Sequence, residues 1–277
     1  MTVAASAGQW TTRDRGGHGF SVACTPADCH HATVTSDPLL ERAQRLWADL
    51  AGAPVAFTES AIEVVASPRS LLCPPGWVGI VALGRAAIAT APDDGTAEIV
   101  QHALNDLPAT TVIDPAAVRD RLPVQDTLGP ATLAYCDAAG FRPAESGAVE
   151  TISANHTGMA ALLARVPAED AGESGLAEIT SPAFVVRAGT DVIAAAGYRG
   201  WPGHTAHISV LTAPAARGRG LGRVVATAAV THALNAGLLP QWRARPEASR
   251  RVARALGFYE LGSQLSINLT PADSTAQ

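Results

Sequence analysis

A chain of 277 residues with a hydrophobic fraction of 47% has ample material for a core and suits one large domain or two modest ones. Only 5% is aromatic, so that core should be rich in Ala, Val and Leu. All 20 basic residues are arginine, which excludes lysine chemistry such as a Schiff base, and the net charge of −5 argues against a nucleic-acid partner and favours a cationic acceptor. Cysteines at 24, 29, 73 and 136 make no disulfide framework for this length, and no apolar run reaches the roughly 18 residues of a membrane span. With no apolar signal-peptide core in the first twenty residues, the expectation is a cytoplasmic protein with no membrane partner.

Residues 1–36 lack periodicity and read as a mobile leader. They hold metal-ligand residue types (His18, Cys24, Cys29, His30, His31), but no second Cys/His pair follows at zinc-finger spacing, and no metal is expected. Ser36 or Asp37 can cap a helix with Pro38 at its first position and an apolar stripe through Leu39, Ala43, Leu46, Trp47 and Leu50. Strand-like runs follow at Ala61–Val65 and Trp77–Leu83, then a polar turn at 92–95, a helical run Thr96–Leu104, a helix near Pro115–Arg121, and a Leu128-Gly129-Pro130-Ala131 turn. These make residues 37–146 an αβ lobe without a phosphate loop.

From 147 the pattern sharpens. Val149–Ile152 reads as a strand and His156–Ala164 as a helix. Ala183–Arg187 and Val192–Tyr198 form a hairpin, Thr205–Leu211 a strand, and Leu221–Leu234 a helix closing at Asn235-Ala236-Gly237. Gln241–Ala244 is a short strand, Pro246 begins a helix, and Phe258–Leu269 is the last strand, with a tail at 271–277.

The chemistry concentrates at Val210–Gly222, where a β run ends in a proline turn and a Gly/Arg loop leads into a helix. Helix N-terminal amides without intrahelical acceptors, on a positive dipole end, hold anions, and Arg217, Arg219 and Arg223 add charge. Gly218, Gly220 and Gly222 let the backbone approach a bulky phosphate, so the loop is expected to bind a pyrophosphate. The Rossmann fingerprint fails, since the spacing is Gly218-x-Gly220-x-Gly222 and no acid lies near 240; a Walker A loop fails for lack of lysine.

Arg217-x-x-Gly220-x-Gly222 resembles the Arg/Gln-x-x-Gly-x-Gly/Ala signature of GNAT-type N-acetyltransferases. The segment Glu247–Phe258, a short helix closed by Leu256-Gly257-Phe258, resembles the family's second block. The resemblance covers about residues 147–269 and implies an α/β (α+β) GNAT fold there, a mixed sheet flanked by helices. The preceding lobe resembles the degenerate GNAT-like half of two-part members. Acetyl-CoA is the implied co-substrate and a primary amine of a small molecule or peptide the implied acceptor, in a monomer or homodimer.

The resemblance further implies that the strand before the loop splays from its neighbour and offers the backbone of Leu211, Thr212 and Ala213 to the pantetheine arm. Arg217, Gly218, Arg219, Gly220, Leu221, Gly222 and Arg223 would hold the pyrophosphate, and Ser249 would meet the arm. The family's general-acid tyrosine position is Ala253 here, and Pro246 stands where relatives carry asparagine. The candidate bases are His204 and His207, which strand alternation puts on opposite faces, with Glu178 a third. Tyr198 and Trp201 would line the acceptor pocket and Tyr259 would pack nearby. The absent acid leaves a second reading open, a catalytically weak CoA-binding sensor or scaffold.

Overall fold

The computed structural model describes residues 37–59, 61–145 and 147–270, so the Cys/His-containing leader and the tail lie outside the described residues. The first helix, α1 (Pro38–Ala51), starts where Asp37 accepts a hydrogen bond from the Leu39 N–H at 2.9 Å and stops at Gly52 in the left-handed region. Then follow β1 (Glu63–Ala66), β2 (Val78–Leu83), β3 (Ala86–Ala91), α2 (Asp94–Leu104), α3 (Pro115–Arg119) and β4 (Val124–Tyr135). The second part contributes β5 (Glu150–Ile152), α4 (Thr157–Ala164), α5 (Ala168–Ser174), β6 (Ala183–Ala188), β7 (Asp191–Trp201) and β8 (Thr205–Thr212). It closes with α6 (Leu221–Asn235), β9 (Leu239–Ala244), α7 (Glu247–Ala255) and β10 (Tyr259–Leu269).

Among the described residues, ten strands form one mixed sheet in the order β1-β3-β2-β10-β4-β9-β8-β7-β6-β5. Of these strands, β1–β3 and β8–β9 pair in parallel and the other neighbours pair antiparallel. The C-terminal strand β10 lies between β2 and β4, while β4 lies between β10 and β9, so strands from both sides of residue 146 are interleaved. Helices cover both faces. On one, α1 packs on Val81, Leu133, Tyr135 and Leu239, and α4 and α5 pack on Val185, Ala195 and Leu211. On the other, α2 packs on Ile80 and Leu265, and α6 and α7 pack on Trp242, Ile208 and Phe258.

Three elements depart from the sequence reading. The Ala-rich run Ala86–Ala91, missed as a strand, is β3, buried at every position because a sheet neighbour lies on each side and helices lie above and below. The Leu128–Ala131 turn is instead a bulge inside the twelve-residue β4. There the register against β10 slips between Gln264 and Ser266, and a Cβ on Gly129 (φ +108) would sit 2.8 Å from the Gln264 carbonyl oxygen. Helix α5, rich in acids (Ala168-Glu169-Asp170-Ala171-Gly172-Glu173-Ser174), carried no apolar period and went unread. The Leu-Gly-Phe glycine has a plain physical basis. Gly257 sits at φ +87, and a Cβ there would lie 1.9 Å from the Gly140 carbonyl oxygen.

Candidate active site

Strands β8 and β9 pair over only three positions, Thr205↔Leu239, Ala206↔Pro240 and His207↔Gln241, although β8 runs on to Thr212 and β9 to Ala244. Beyond His207, β8 follows β7 and β9 follows β4, so the two diverge and the sheet splits. A cavity of about 420 Å³ fills the split. Its walls include His207 and Val210 of β8, Trp242 and Arg243 of β9, Ser249 of α7 and Glu173 of α5. Trp242 packs with the α6–α7 face, whereas His207 and Gln241 lie in register on the α1 face with Leu239 and Tyr135. The opening therefore joins the two faces of the sheet.

The backbone on the β8 side can be assigned. The Ala213 N–H donates to the Ile193 carbonyl at 2.9 Å, which makes these two a hydrogen-bonded antiparallel pair. By alternation Leu211 also turns its N–H and C=O to β7, while Val210 and Thr212 turn theirs toward the split. Of the three residues expected to offer backbone to a ligand arm, only Thr212 is so placed, and Val210 replaces the other two. The correction follows from pairing parity, which the sequence does not contain.

At the end of β8 the loop winds through Gly218 (φ +77) and Gly220 (φ +76) into α6. Among the described residues, the N–H groups of Gly218, Arg219, Gly220, Leu221 and Gly222 have no protein acceptor, and Gly220 gives the helix no side-chain cap. Five adjacent free amides on a helix dipole form an anion cradle. A Cβ at Gly218 or Gly220 would meet nothing within 4 Å, so it is the positive φ that demands glycine there. Arg223 Nε is buried without a hydrogen-bond partner, and Arg219 is exposed. Arg217 is engaged elsewhere: its Nε donates to the Thr212 carbonyl at 3.2 Å and its Nη2 to Asp170 of α5 at 2.6 Å. A second pair, Arg245 with Glu173, ties α5 to the end of β9, with Nε 3.0 and 3.1 Å from the carboxylate oxygens. Helix α5 thus spans the split, one acid on each arm.

The two candidate histidines separate. His204 lies in the β7–β8 turn, exposed and at φ +53, and its carbonyl accepts from Leu239 N–H; it is not on the strand and does not line the cavity. His207 is half-buried in the cavity wall, stacked on Trp201 at 4.1 Å and 10°. Its Nδ1 is 2.5 Å from Gln241 Oε1. Trp47 Nε1, a donor only, gives its proton to the Tyr135 hydroxyl at 2.5 Å, and that hydroxyl in turn meets Gln241. Gln241 Oε1 can only accept, so His207 Nδ1 carries the proton, and Gln241 Nε2 is left buried without a partner. The histidine tautomer is thereby fixed with its lone pair on Nε2, which has no hydrogen bond among the described residues. Burial, then the charges of Arg243 and Arg199, push the imidazole pKa down to about 3, with the Gln241 bond acting the other way. His207 is a neutral hydrogen-bond acceptor, and a much weaker base than an unperturbed histidine.

Ser249 Oγ accepts from Trp242 Nε1 at 2.9 Å, which leaves the hydroxyl proton to donate into the cavity. Cys73, also in the wall, is pushed up to about 11 by burial and is a thiol at neutral pH. Ala253 is buried in the α6–α7 core and brings no acid. Tyr198 points away, its hydroxyl 2.9 Å from His232 Nδ1 under α6, and Tyr259 is 52% exposed outside the cavity. Glu178 pairs with Arg199 at 2.5 Å, away from the cavity wall. The sequence reading missed Gln241, Arg243, Glu173, Trp47 and Tyr135. One signal was present, since polar Gln241 and Arg243 alternate with Trp242 and Ala244 in an otherwise buried strand.

Residues 181–263 match the family model described as GNAT acetyltransferase. No curated protein is similar to the chain in sequence. Among solved structures, the chain is similar to a GCN5-related N-acetyltransferase from Kribbella flavida (13% identity, 57% of this chain and 64% of that one, TM-score 0.44). It is also similar to an acetyltransferase from the GNAT family of Colwellia psychrerythraea (14%, 56% and 60%, TM-score 0.41). A GCN5-related N-acetyltransferase-like protein from Streptococcus suis is covered over 98% of its length and 83% of this chain (16%, TM-score 0.42). The chain thus spans less than two thirds of the length of the first two. The segment that resembles the GNAT acetyltransferase family runs from just before β6 into β10 and contains the split, the loop and α7.

Proposed function

We propose that the protein transfers the acetyl group of acetyl-CoA to a primary amine, with both substrates bound at once. The observation that carries the reading is the split between β8 and β9, whose β8 arm runs from His207 in the cavity wall to the strand end where the anion-cradling loop begins. The pyrophosphate lies on the amides of Gly218–Gly222, assisted by Arg219 and Arg223, and by Arg217 once it exchanges Asp170 for phosphate. The pantetheine arm runs along Val210 and Thr212, whose free N–H groups also polarise the thioester carbonyl.

His207 Nε2 accepts a hydrogen bond from the amine and aims its lone pair at the carbonyl carbon, a proximity effect more than base catalysis. The ammonium first loses one proton to water. The nitrogen then forms its bond to carbon, the carbon–sulfur bond breaks, and a second nitrogen proton leaves as the sulfur gains one through water, with Ser249 donating a hydrogen bond to the departing thiolate. Cys73, kept protonated by burial, is a poor nucleophile and takes no part.

Incubating the protein with acetyl-CoA, a thiol reporter and a panel of primary amines tests this. Amine-dependent release of free CoA is expected. CoA binding without turnover on any amine would leave the protein a sensor or scaffold. Retained CoA affinity in both Arg223→Ala and Gly220→Ala would refute the loop assignment.

A further inference from the structure

The cavity wall on the α1 face is cationic in a chain of net charge −5. Arg245 and Glu173 neutralise one another there. Among the described residues Arg243 makes no ion pair, although the charges of Glu173 and Glu178 reach it. Its one hydrogen bond runs from Nη1 to the neutral Gln264 Oε1 at 3.2 Å, and Gln264 is itself anchored on the Leu72 carbonyl. Most of the five donors of that guanidinium are therefore uncommitted, in a fork that matches a carboxylate. It stands close enough to His207 for its charge to act on the imidazole. At the same cavity lie Leu71 (68% exposed) and Leu128 (41% exposed), two of the four exposed large hydrophobics among the described residues. A polyamine or aminoglycoside would bring further cations against Arg243, and Glu173 is already engaged.

We infer that the acceptor is an amine that also bears a carboxylate and an apolar substituent, an amino acid of the leucine type being the simplest. Arg243 takes the carboxylate, His207 Nε2 takes the amine, and Leu71 and Leu128 cover the apolar group. The inference rests on the transferase reading for its chemistry but on Arg243 and the apolar rim for its selectivity. Neutralising Arg243 with the substrate carboxylate also removes a charge that holds the imidazole neutral, so the acceptor strengthens the group that orients it.

The test compares leucine, leucinamide, 3-methylbutylamine and spermidine as acceptors at saturating acetyl-CoA, and in parallel as ligands by calorimetry. Leucine is expected to exceed leucinamide by about 10- to 100-fold in kcat/KM, the range for a charged hydrogen-bonded pair. In Arg243→Gln that ratio falls toward one, and in Arg243→Lys it is partly restored; CoA affinity reports that both variants are folded. Equal use of the amide, preference for spermidine, or an unchanged ratio in Arg243→Gln would overturn the inference. If CoA binds and no amine turns over, the calorimetry decides alone. Selective leucine binding lost in Arg243→Gln would uphold the carboxylate site while the transferase reading fell, and no selectivity would sink the site.

Discussion

Replacing His207 by glutamine isolates the most heavily perturbed group in the cavity. In the fold its pKa is pushed down to about 3 by burial and by neighbouring arginines, against about 6.5 in an unfolded chain. Between those values the unfolded state binds more protons, so stability is full above pH 6.5 and is lost as pH falls toward 3. From pH 7.5 to 5.0 the imidazole should cost about 1.5 pKa units of linkage, or about 2 kcal/mol at 1.36 kcal/mol per unit. Glutamine does not titrate, and the remaining histidines contribute equally to both proteins. Urea unfolding of wild type and His207→Gln at the two pH values should therefore show wild type losing about 2 kcal/mol more than the variant. Nor should this group give an acid limb near pH 6.5 in the kcat/KM profile. Equal losses in the two proteins would mean that the imidazole titrates as in water, and the case for a neutral, orienting His207 would collapse.

Further perturbations probe the rest of the site. Tyr135→Phe leaves Trp47 Nε1–H buried without an acceptor and frees Gln241. A loss of about 1–3 kcal/mol is expected by urea titration, together with a fall in kcat that Trp47→Phe reproduces. Asp170→Asn releases Arg217 from an exposed ion pair. Such pairs contribute at most about 1 kcal/mol, so CoA should bind up to about fivefold more tightly at low salt and the gain should vanish at high salt; calorimetry at two ionic strengths decides. Gly257→Ala drives a Cβ into the Gly140 carbonyl at a φ hostile to L-residues. It should destabilise by several kcal/mol, an effect read as loss of soluble protein or of cooperative melting.

Features that depend on local chemistry could be read from the order of residues alone. The Gly218–Gly222 loop, its glycines and the helix it opens were legible because positive φ, missing caps and clustered arginines are properties of consecutive residues. The strands from β5 to β10 and the helices α4, α6 and α7 were legible because hydrophobic period and turn residues are local too. What only the tertiary structure decided involves residues far apart in the chain. Interleaving of β4 and β10 sets where β9 is pulled away from β8, and that divergence creates the cavity. Pairing parity selects Val210 and Thr212 over Leu211 and Ala213. Arg217 looked free in sequence and is held by Asp170 of α5, a helix with no apolar period to announce it. His207 looked like a base near neutrality. Burial and Arg243 keep it neutral, and its hydrogen bond to Gln241 fixes the tautomer. The net charge of −5 suggested a cationic acceptor, whereas the cavity presents an arginine that makes no ion pair among the described residues. The physical reason is common to these cases. Electrostatics and hydrogen bonding fall off over a few ångströms, and which groups lie within that reach is fixed by the packing of strands and helices, not by their order along the chain.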